Sequence, residues 1–383
     1  MDAIVAARIS VCTVRPPIPQ RKRSSYISFP SSLKPLLDIS RPARNRRKRA
    51  STALVTCSSS SAPAPAPAPA PAPEASTEIG VLDVAGIRNA SRRWQWKGQY
   101  SINYFVSCPS TAPPLLLVHG FGASIPHWRR NIATLSQKYT VYAIDLLGFG
   151  ASDKPAGFAY TMEAWAQMIL DFLDEVVQQP AVLVGNSVGS LACLIAASEP
   201  RENMVSGLVL LNCAGGMNNK AIVDDWRIRL LLPLFWLLDF LLNQRAIASA
   251  IFERVKKKDN LKNILLSVYG NKESVDDELV EIISGPANDD GALDAFVSIL
   301  TGPPGPNPVQ LMPTISLPVL ILWGDQDPFT PIDGPVGKYF SALPSTSPNV
   351  SLTMLQGVGH CPHDDRPDLV HQKLLPWLDN LFS

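Results

Sequence analysis

The sequence is short of residues that several classes of protein require. Its 383 residues include only six cysteines and five histidines, with no Cys-x-x-Cys pair and no Cys/His group at zinc spacing. This pattern disfavours a structural zinc site. No uninterrupted apolar stretch reaches the roughly 18–20 residues that cross a bilayer. We therefore expect reduced, mostly buried thiols, and we expect neither a metal nor a cofactor.

Acidic residues are scarce in the first 60 positions. Residues 1–60 hold twelve of the 34 basic residues but two of the 33 acidic ones, so a leader of net charge +10 precedes a remainder of net charge −9. No apolar run of about 7–15 residues is present there, which disfavours a secretory signal. Prolines disfavour one long amphipathic helix, so we expect a plastid transit peptide. A basic tail that binds nucleic acid or anionic lipid is the alternative.

The chain beyond the leader divides into a spacer and one folded domain. Six Ala-Pro repeats within residues 61–79 predict a semi-rigid linker. In residues 80–383, short apolar runs alternate with helical patterns, which predicts an α/β fold with a mostly parallel sheet covered by helices. The predicted strands are 101–107, 115–118, 140–144, 181–184, 207–211, 319–323 and 350–355, and the predicted helices are 132–137, 162–177, 188–197, 336–342 and 369–381. A region at about 214–316 shows helical periodicity without a buried strand, and we expect it to form a cap over the active site.

A serine at the apex of a strand–turn–helix is the most informative feature of the chain. Ser187 lies in Gly-Asn-Ser-Val-Gly, between the apolar run 181–184 and a predicted helix. Glycines two positions before and two after the serine suit a tight turn, which is the arrangement of a nucleophile elbow. A capping serine at an ordinary turn is the alternative. A serine nucleophile, in place of an aspartate, implies acyl transfer and hence hydrolysis of an ester, thioester or amide.

A serine hydroxyl needs a base, and the base needs an orienting acid. His360 follows the last predicted strand, and two glycines at 357 and 359 precede it and let its loop approach the elbow, so we predict it to be the base, with His363 as the alternative. His371, in the final helix, is expected to be solvated. Asp327 follows the preceding strand and completes the chain order Ser, Asp, His. Asp325 is the alternative acid, although its place beside a glycine is more typical of a residue that shapes the loop.

Two backbone N–H groups are predicted to form an oxyanion hole. One belongs to Phe121, in the His-Gly-Phe-Gly loop after an early strand, and the other to Val188, directly after the nucleophile. We expect His119 to organise this loop and not to act as a second base. The turn-rich segment 145–153 is expected to be a structural connector.

The most apolar part of the predicted cap is residues 230–242, LLLPLFWLLDFLL. These thirteen residues are too few to span a membrane, and basic residues flank them. One interpretation is a lid that rests on a lipid surface, with Phe235, Trp236 and Leu237 contacting the substrate. The alternative is a helix buried against the core.

Taken together, these motifs resemble the plant plastid α/β-hydrolases that act on chlorophyll pigments. The similarity includes the elbow, HGFG (119–122), WGDQDP (323–328) and GHCPHDDRP (359–367), and the stretch NCAGGMNNKAIVDDW (212–226) resembles the chlorophyll dephytylase group in particular. The resemblance covers the chain from about residue 90 and implies hydrolysis of the phytyl ester of chlorophyll to chlorophyllide and phytol, in or on thylakoid membranes. Pheophytinase is a near relative, although ASIPHW (123–128) differs from its corresponding segment.

Other functions stay open at the level of sequence. An esterase for pheophytin or for other plastid lipids and acyl esters would use the same catalytic residues. A non-catalytic small-molecule receptor on this fold is the alternative outside enzymes, and it is disfavoured by the intact set of Ser187, Asp327 and His360. We expect no nucleic-acid partner. The expected partners are a phytylated tetrapyrrole and the thylakoid surface.

Overall fold

The structure is a computed structural model that describes residues 83–107, 111–199, 204–218, 237 and 240–383. The predicted transit peptide and linker lie outside these residues. Phe235 and Trp236, two of the three cap residues predicted to contact substrate, also lie outside them.

The described residues form an eight-stranded sheet in the order β1-β2-β4-β3-β5-β6-β7-β8. The pairs β1–β2 and β2–β4 are antiparallel, and the others are parallel. All seven strands predicted from the sequence are present, and the mostly parallel α/β fold is confirmed. The strands are β1 (Arg92–Trp96), β2 (Tyr100–Val106), β3 (Pro114–Val118), β4 (Thr140–Ile144), β5 (Ala181–Asn186), β6 (Val205–Leu211), β7 (Val319–Gly324) and β8 (Val350–Leu355).

The central strands are continuous apolar runs because helices cover both faces of the sheet. Every residue of β3, β5 and β7 is buried. Successive side chains enter opposite layers of the core, as the period of two in a strand requires. Leu116 packs in the layer that contains Trp165, whereas Leu117 packs in the layer that contains Leu374.

The predicted helices outside the cap are present, with ends within about three residues, except that the predicted helix 162–177 is α-helical only to Phe172 and continues as a π-helix over Leu173–Val177. Three elements were missed: the first strand, the helix Val84–Ala90 and the four-residue helix Pro362–Asp365. The first strand, β1, alternates exposed and buried residues, and two arginines conceal its apolar face, which is formed by Trp94 and Trp96. The helices are α1 (Val84–Ala90, also missed), α2 (Arg129–Leu135), α3 (Met162–Phe172), α4 (Val188–Ser198), α10 (Pro335–Ala342), α11 (Pro362–Asp365) and α12 (Pro367–Leu381).

Between β6 and β7 the described residues contain helices and no strand. These helices are α5 (Arg245–Val255), α6 (Lys258–Val268), α7 (Asp277–Ser284), α8 (Ala292–Thr301) and α9 (Pro308–Leu311). Within the described part of the chain, no helix is both long and apolar enough to cross a membrane. The carboxyl ends of the parallel strands lie at one edge of the sheet, and the candidate active-site residues follow β3, β5, β7 and β8.

Candidate active site

Ser187 occupies the one-residue turn between β5 and α4. Its backbone has φ 55° and ψ −120°, a conformation that L-residues seldom adopt and that costs on the order of 1–3 kcal/mol. The two glycines are required by space. A Cβ on Gly185 would lie 2.5 Å from the backbone nitrogen of Ser190, and one on Gly189 would lie 2.4 Å from the carbonyl oxygen of His119. The elbow therefore lies directly against the loop after β3.

The structure brings Ser187, His360 and Asp327 into one hydrogen-bonded chain. His360 Nε2 lies 2.8 Å from Ser187 Oγ, and His360 Nδ1 lies 2.7 Å from Asp327 Oδ2. A carboxylate only accepts hydrogen bonds, so Nδ1 carries the proton and Nε2 presents its lone pair to the serine hydroxyl. All three residues are buried. This is the arrangement in which an imidazole can accept a proton from serine.

The carboxylate of Asp327 is held in its ionised form. Burial by itself would raise its pKa, but attraction to His360 and hydrogen bonds from His360, Thr330 and Asn212 outweigh burial and hold that pKa below its usual range. Thr330 Oγ1 and Asn212 Nδ2 donate to Oδ2 at 2.5 and 2.6 Å, and Phe329 N donates to Oδ1 at 2.7 Å. Sequence reasoning missed Asn212 in this role. Its position immediately after β6, at the same edge of the sheet, was the available signal.

The alternative acid and base lie elsewhere. Asp325 Oδ1 accepts hydrogen bonds from Gly357 N at 2.7 Å and Val358 N at 3.3 Å, so this side chain shapes the loop that carries His360. His363 is fully buried, and its Nε2 lies 3.3 Å from His127 Nδ1. Neither alternative is hydrogen-bonded to Ser187 in the described residues.

The prediction that His371 is solvated is wrong. The side chain is buried because α12 packs this face against α2, and its Nε2 lies 3.2 Å from Asn131 Oδ1. Burial lowers the pKa of His371 to about 4. Helical periodicity placed the residue on α12 but did not identify which face the core covers.

His119 organises the loop that carries one predicted oxyanion donor. Its Nε2 accepts a hydrogen bond from Leu146 N at 3.0 Å, so Nδ1 holds the proton and donates it to the carbonyl oxygen of Gly120 at 2.7 Å. Burial lowers the pKa of His119, which favours this neutral form. The Gly120 carbonyl and the Phe121 N–H belong to one peptide plane, so this hydrogen bond also fixes the direction of the Phe121 N–H.

The second predicted donor, Val188 N, lies at the first residue of α4, where backbone N–H groups have no partner within the helix. The two donor-bearing loops are close, since a Cβ on Gly120 would lie 3.2 Å from Ser187 Cβ. Removing one such donor from an oxyanion hole costs about 2.7–4 kcal/mol in transition-state stabilisation.

The predicted connector 145–153 serves as a structural support. Asp145 is buried and accepts hydrogen bonds from Ile125 N at 2.7 Å, Ala151 N at 2.8 Å and Asn103 Nδ2 at 2.8 Å. This carboxylate therefore joins the antiparallel end of the sheet to the segment after the oxyanion loop.

Exposed aromatic side chains lie beside the candidate catalytic residues. Phe329 is 55% exposed, and its ring meets the ring of His360 edge-on at 5.1 Å between centroids. Phe121 is 40% exposed and contacts Phe149 at 5.5 Å and Phe296, on cap helix α8, at 6.1 Å. Phe329 was not predicted, because its contact with His360 joins two loops that are distant in sequence.

The described part of the apolar cap segment exposes large side chains. Leu237 is 49% exposed and Phe240 is 56% exposed, whereas Leu242 is buried. Within the described ranges, no group of three or more His, Cys, Asp or Glu residues is arranged to hold a metal ion.

Comparisons with known proteins agree with the fold. The family model for the alpha/beta hydrolase fold matches residues 113–367. The chain is 28% identical over 266 residues to the uncharacterised hydrolase YugF of Bacillus subtilis, covering 69% of this chain and 89% of that protein. It is 26% identical over 334 residues to the chloroplastic pheophytinase of Arabidopsis thaliana, covering 76% of this chain and 66% of that protein. Among solved structures, the meta-cleavage product hydrolase CumD of Pseudomonas fluorescens matches with a TM-score of 0.59 and 20% identity, covering 76% of this chain and 97% of that one.

Proposed function

The chain belongs to the alpha/beta hydrolase fold family, and from that premise we propose that it is a serine hydrolase that cleaves the phytyl ester of chlorophyll to chlorophyllide and phytol. The hydrogen-bonded chain of Ser187, His360 and Asp327 carries the acyl-transfer part of this proposal. The likeness to a chloroplastic pheophytinase supports the substrate part.

The proposed reaction proceeds through an acyl-enzyme. Ser187 Oγ attacks the ester carbonyl carbon while His360 Nε2 takes the hydroxyl proton, and the N–H groups of Phe121 and Val188 stabilise the resulting oxyanion. The tetrahedral intermediate collapses, the carbon–oxygen bond to phytol breaks, and His360 returns the proton to the leaving alcohol. Water then attacks the chlorophyllide ester of Ser187, again with His360 as the base, and releases chlorophyllide and the free serine.

The exposed aromatic rings beside the site suit a large apolar ester. Phe121 and Phe329 present apolar surface next to Ser187 and His360, where a small polar acyl group would gain little from contact with them. An esterase for pheophytin is the nearest alternative and draws on the same relative.

The proposal is tested by incubating the purified protein with chlorophyll in detergent micelles and measuring chlorophyllide, with Ser187→Ala as the control. Chlorophyllide released over many turnovers by the unchanged protein alone supports the proposal. Hydrolysis of pheophytin or of simple acyl esters without release of chlorophyllide would assign one of the alternative esterase functions. Stoichiometric binding of chlorophyll with no turnover of any ester would favour a receptor.

We also propose that the basic leader 1–60 directs the protein to the chloroplast, where it acts at the thylakoid surface. The composition of the leader supports import, and the relative from Arabidopsis is a chloroplastic protein. A fluorescent protein fused to residues 1–60 is expected to enter plastids. Retention in the cytosol or entry into mitochondria would contradict this localisation.

The route by which a phytyl ester reaches the site determines the proposed role of the cap. Burying a roughly twenty-carbon tail from water would be worth about 0.8 kcal/mol per carbon, but a tail that already lies in lipid gains almost none of this. The enzyme therefore needs an apolar path continuous with the membrane. The exposed Leu237 and the neighbouring Phe235 and Trp236 are the proposed lining of that path.

Polar substitutions in this segment distinguish a membrane-facing lid from a helix that is buried against the core. Replacing Phe235, Trp236 and Leu237 by Gln is expected to reduce hydrolysis of chlorophyll in vesicles far more than hydrolysis of a short soluble ester. Ile264→Gln, at an exposed apolar residue on α6, is the matched control. Equal losses on both substrates, or no loss on either, would refute a membrane-facing lid.

A further inference from the structure

The loop that carries His360 is held by its backbone on two sides. The carbonyl oxygen of His360 accepts a hydrogen bond from Asn186 Nδ2, next to the nucleophile, at 3.0 Å. Its N–H donates to the carbonyl oxygen of Val268, at the end of cap helix α6, at 3.0 Å. The cap therefore contributes directly to the position of the proposed base.

The contact between the cap and this loop leaves no space for side chains. A Cβ on Gly359 would lie 2.0 Å from the carbonyl oxygen of Val268, and a Cβ on Gly270 would lie 2.2 Å from that of Gly357. Real Cβ atoms do not approach a neighbour so closely. The two backbones are thus packed against each other, and the position of one constrains the other.

One buried carboxylate joins both segments. Asp365 Oδ2 accepts hydrogen bonds from Gly359 N at 2.6 Å and from Gly270 N at 2.8 Å, and its Oδ1 accepts one from Asn271 N at 2.8 Å. Its own backbone oxygen accepts from Ser274 Oγ at 2.8 Å. The side chain is almost completely buried. Hydrogen bonds from backbone N–H groups to an ionised acceptor are among the stronger ones in proteins.

We propose that Asp365 is a positioning residue for catalysis, which fastens the His360 loop to cap residues 270–271 and so holds His360 Nε2 against Ser187 Oγ. Asp365 donates nothing to the substrate and takes no part in proton transfer. Asp365 acts through Gly359, the residue before the base, whose N–H its carboxylate accepts. The same carboxylate accepts the N–H of Gly270, two residues after Val268, and the carbonyl oxygen of Val268 accepts the N–H of His360. This inference rests on the proposed role of His360 as the base.

The expected effect is on kcat and not on KM. A misplacement of a catalytic group by about 1 Å can reduce the rate about a hundredfold, so we expect Asp365→Ala to lower kcat by about this factor while KM changes little. Asp365→Asn presents one oxygen and an NH2 group to three donors, which leaves at least one donor facing another. We expect it to lower kcat by about tenfold.

Asp364 provides the matched control. It is the neighbouring residue on α11 and equally buried, but its carboxylate contacts Arg129 and Tyr269 and none of the backbone of the His360 loop. Asp364→Ala is expected to lower the stability of the folded protein while kcat stays near that of the unchanged protein. A general loosening of the cap would instead reduce kcat alike in both alanine variants.

The experiment measures kcat and KM of the full chain and its variants on a chromogenic short-chain ester. It also records the downfield proton resonance of His360 Nδ1–H by NMR. Loss or broadening of this resonance in the Asp365 variants but not in Asp364→Ala, together with the fall in kcat, supports the inference. Equal kcat in the two alanine variants, or an effect on KM alone, overturns it.

Two further outcomes distinguish failure of the inference about Asp365 from failure of the proposed function. If Asp365→Ala does not fold, Asp365→Asn decides the matter, and an unchanged kcat and resonance in that variant overturn the inference. If the unchanged protein hydrolyses no ester, the proposed function fails. The NMR comparison then still decides whether Asp365 positions His360.

Discussion

Buried histidines make the folded state sensitive to acid. Burial holds the pKa of His127 well below its usual range, lowers the pKa of His363 to about 3 and lowers that of His371 to about 4. In the unfolded chain a histidine titrates near about 6.5. Below that pH the unfolded state binds protons that the folded state excludes, so the free energy of unfolding falls as the pH falls.

Between pH 7.5 and pH 5.5 the buried histidines lower the free energy of unfolding by several kcal/mol. Each of the three histidines then favours the unfolded state by about 1.4 kcal/mol relative to pH 7.5, or about 4 kcal/mol together. Asp364 has the opposite effect on the free energy of unfolding. Burial, partly offset by Arg129 and Arg130, raises the pKa of its carboxyl group to about 6. The folded protein therefore takes up a proton there before the unfolded chain does, and regains about 0.8 kcal/mol. These four groups together give a net loss of about 3 kcal/mol, a large part of the stability of an ordinary domain, and the lowered pKa of His119 acts in the same direction as those of the other histidines.

The assay is urea unfolding of the full chain at pH 7.5 and 5.5, followed by circular dichroism. His371→Gln is the informative variant, because a glutamine amide can still donate to Asn131 Oδ1 but does not titrate. We expect it to reduce the acid-induced loss by about 1.4 kcal/mol. A free energy of unfolding that is equal at the two pH values, or a variant that keeps the full pH dependence, would refute the reasoning.

Three further predictions follow from the candidate active site. Ser187→Ala is expected to lower kcat on the order of a million-fold without lowering the melting temperature; ester hydrolysis and thermal melting check this. Asp327→Asn is expected to lower kcat about 10⁴-fold. Asp325→Asn keeps the side-chain oxygen that accepts the Gly357 N–H, so its effect on kcat is expected to be small. A larger fall in kcat for Asp325→Asn than for Asp327→Asn would contradict the assignment of the acid. Gly189→Ala is expected to destabilise the protein by about 1–3 kcal/mol, because the added Cβ meets backbone atoms. Gly86→Ala, at an exposed helical position with open space, is expected to stabilise it by up to about 1 kcal/mol. The free energy of unfolding in urea measures both effects.

The apolar pattern of the strands was sufficient to predict the fold class. Parallel strands that are buried on both faces must be continuous apolar runs, and this signal is local. The pattern failed at β1, where Trp94 and Trp96 are buried but two arginines precede them. The indole N–H of Trp94 donates to Glu175 and that of Trp96 donates to Asp171, each at 2.8 Å. A local hydrophobic pattern does not predict hydrogen bonds to partners so distant in sequence.

The elbow at Ser187 was also visible locally, because its glycines are required by the turn itself. The arrangement of the other candidate residues required the tertiary structure. Asp327 and His360 could be placed after the correct strands, but the preference for Asp327 over Asp325 rested on the place of Asp325 beside a glycine and on where this fold usually positions its acid. In the structure, Asp325 points its bonding oxygen at the loop backbone and Asp327 meets the imidazole.

By itself the sequence determined the order of strands and helices, the sharp turn at Ser187 and the strand ends at which polar residues gather, since each depends on neighbours along the chain. Only the tertiary structure decided that His371 is buried, that Asn212 and Phe329 contact Asp327 and His360, and that Asp365 joins the cap to the loop of the base. The physical reason is that these contacts join segments up to 240 residues apart. Which side chains meet there is set by the packing of helices and loops against the sheet, and not by any local pattern.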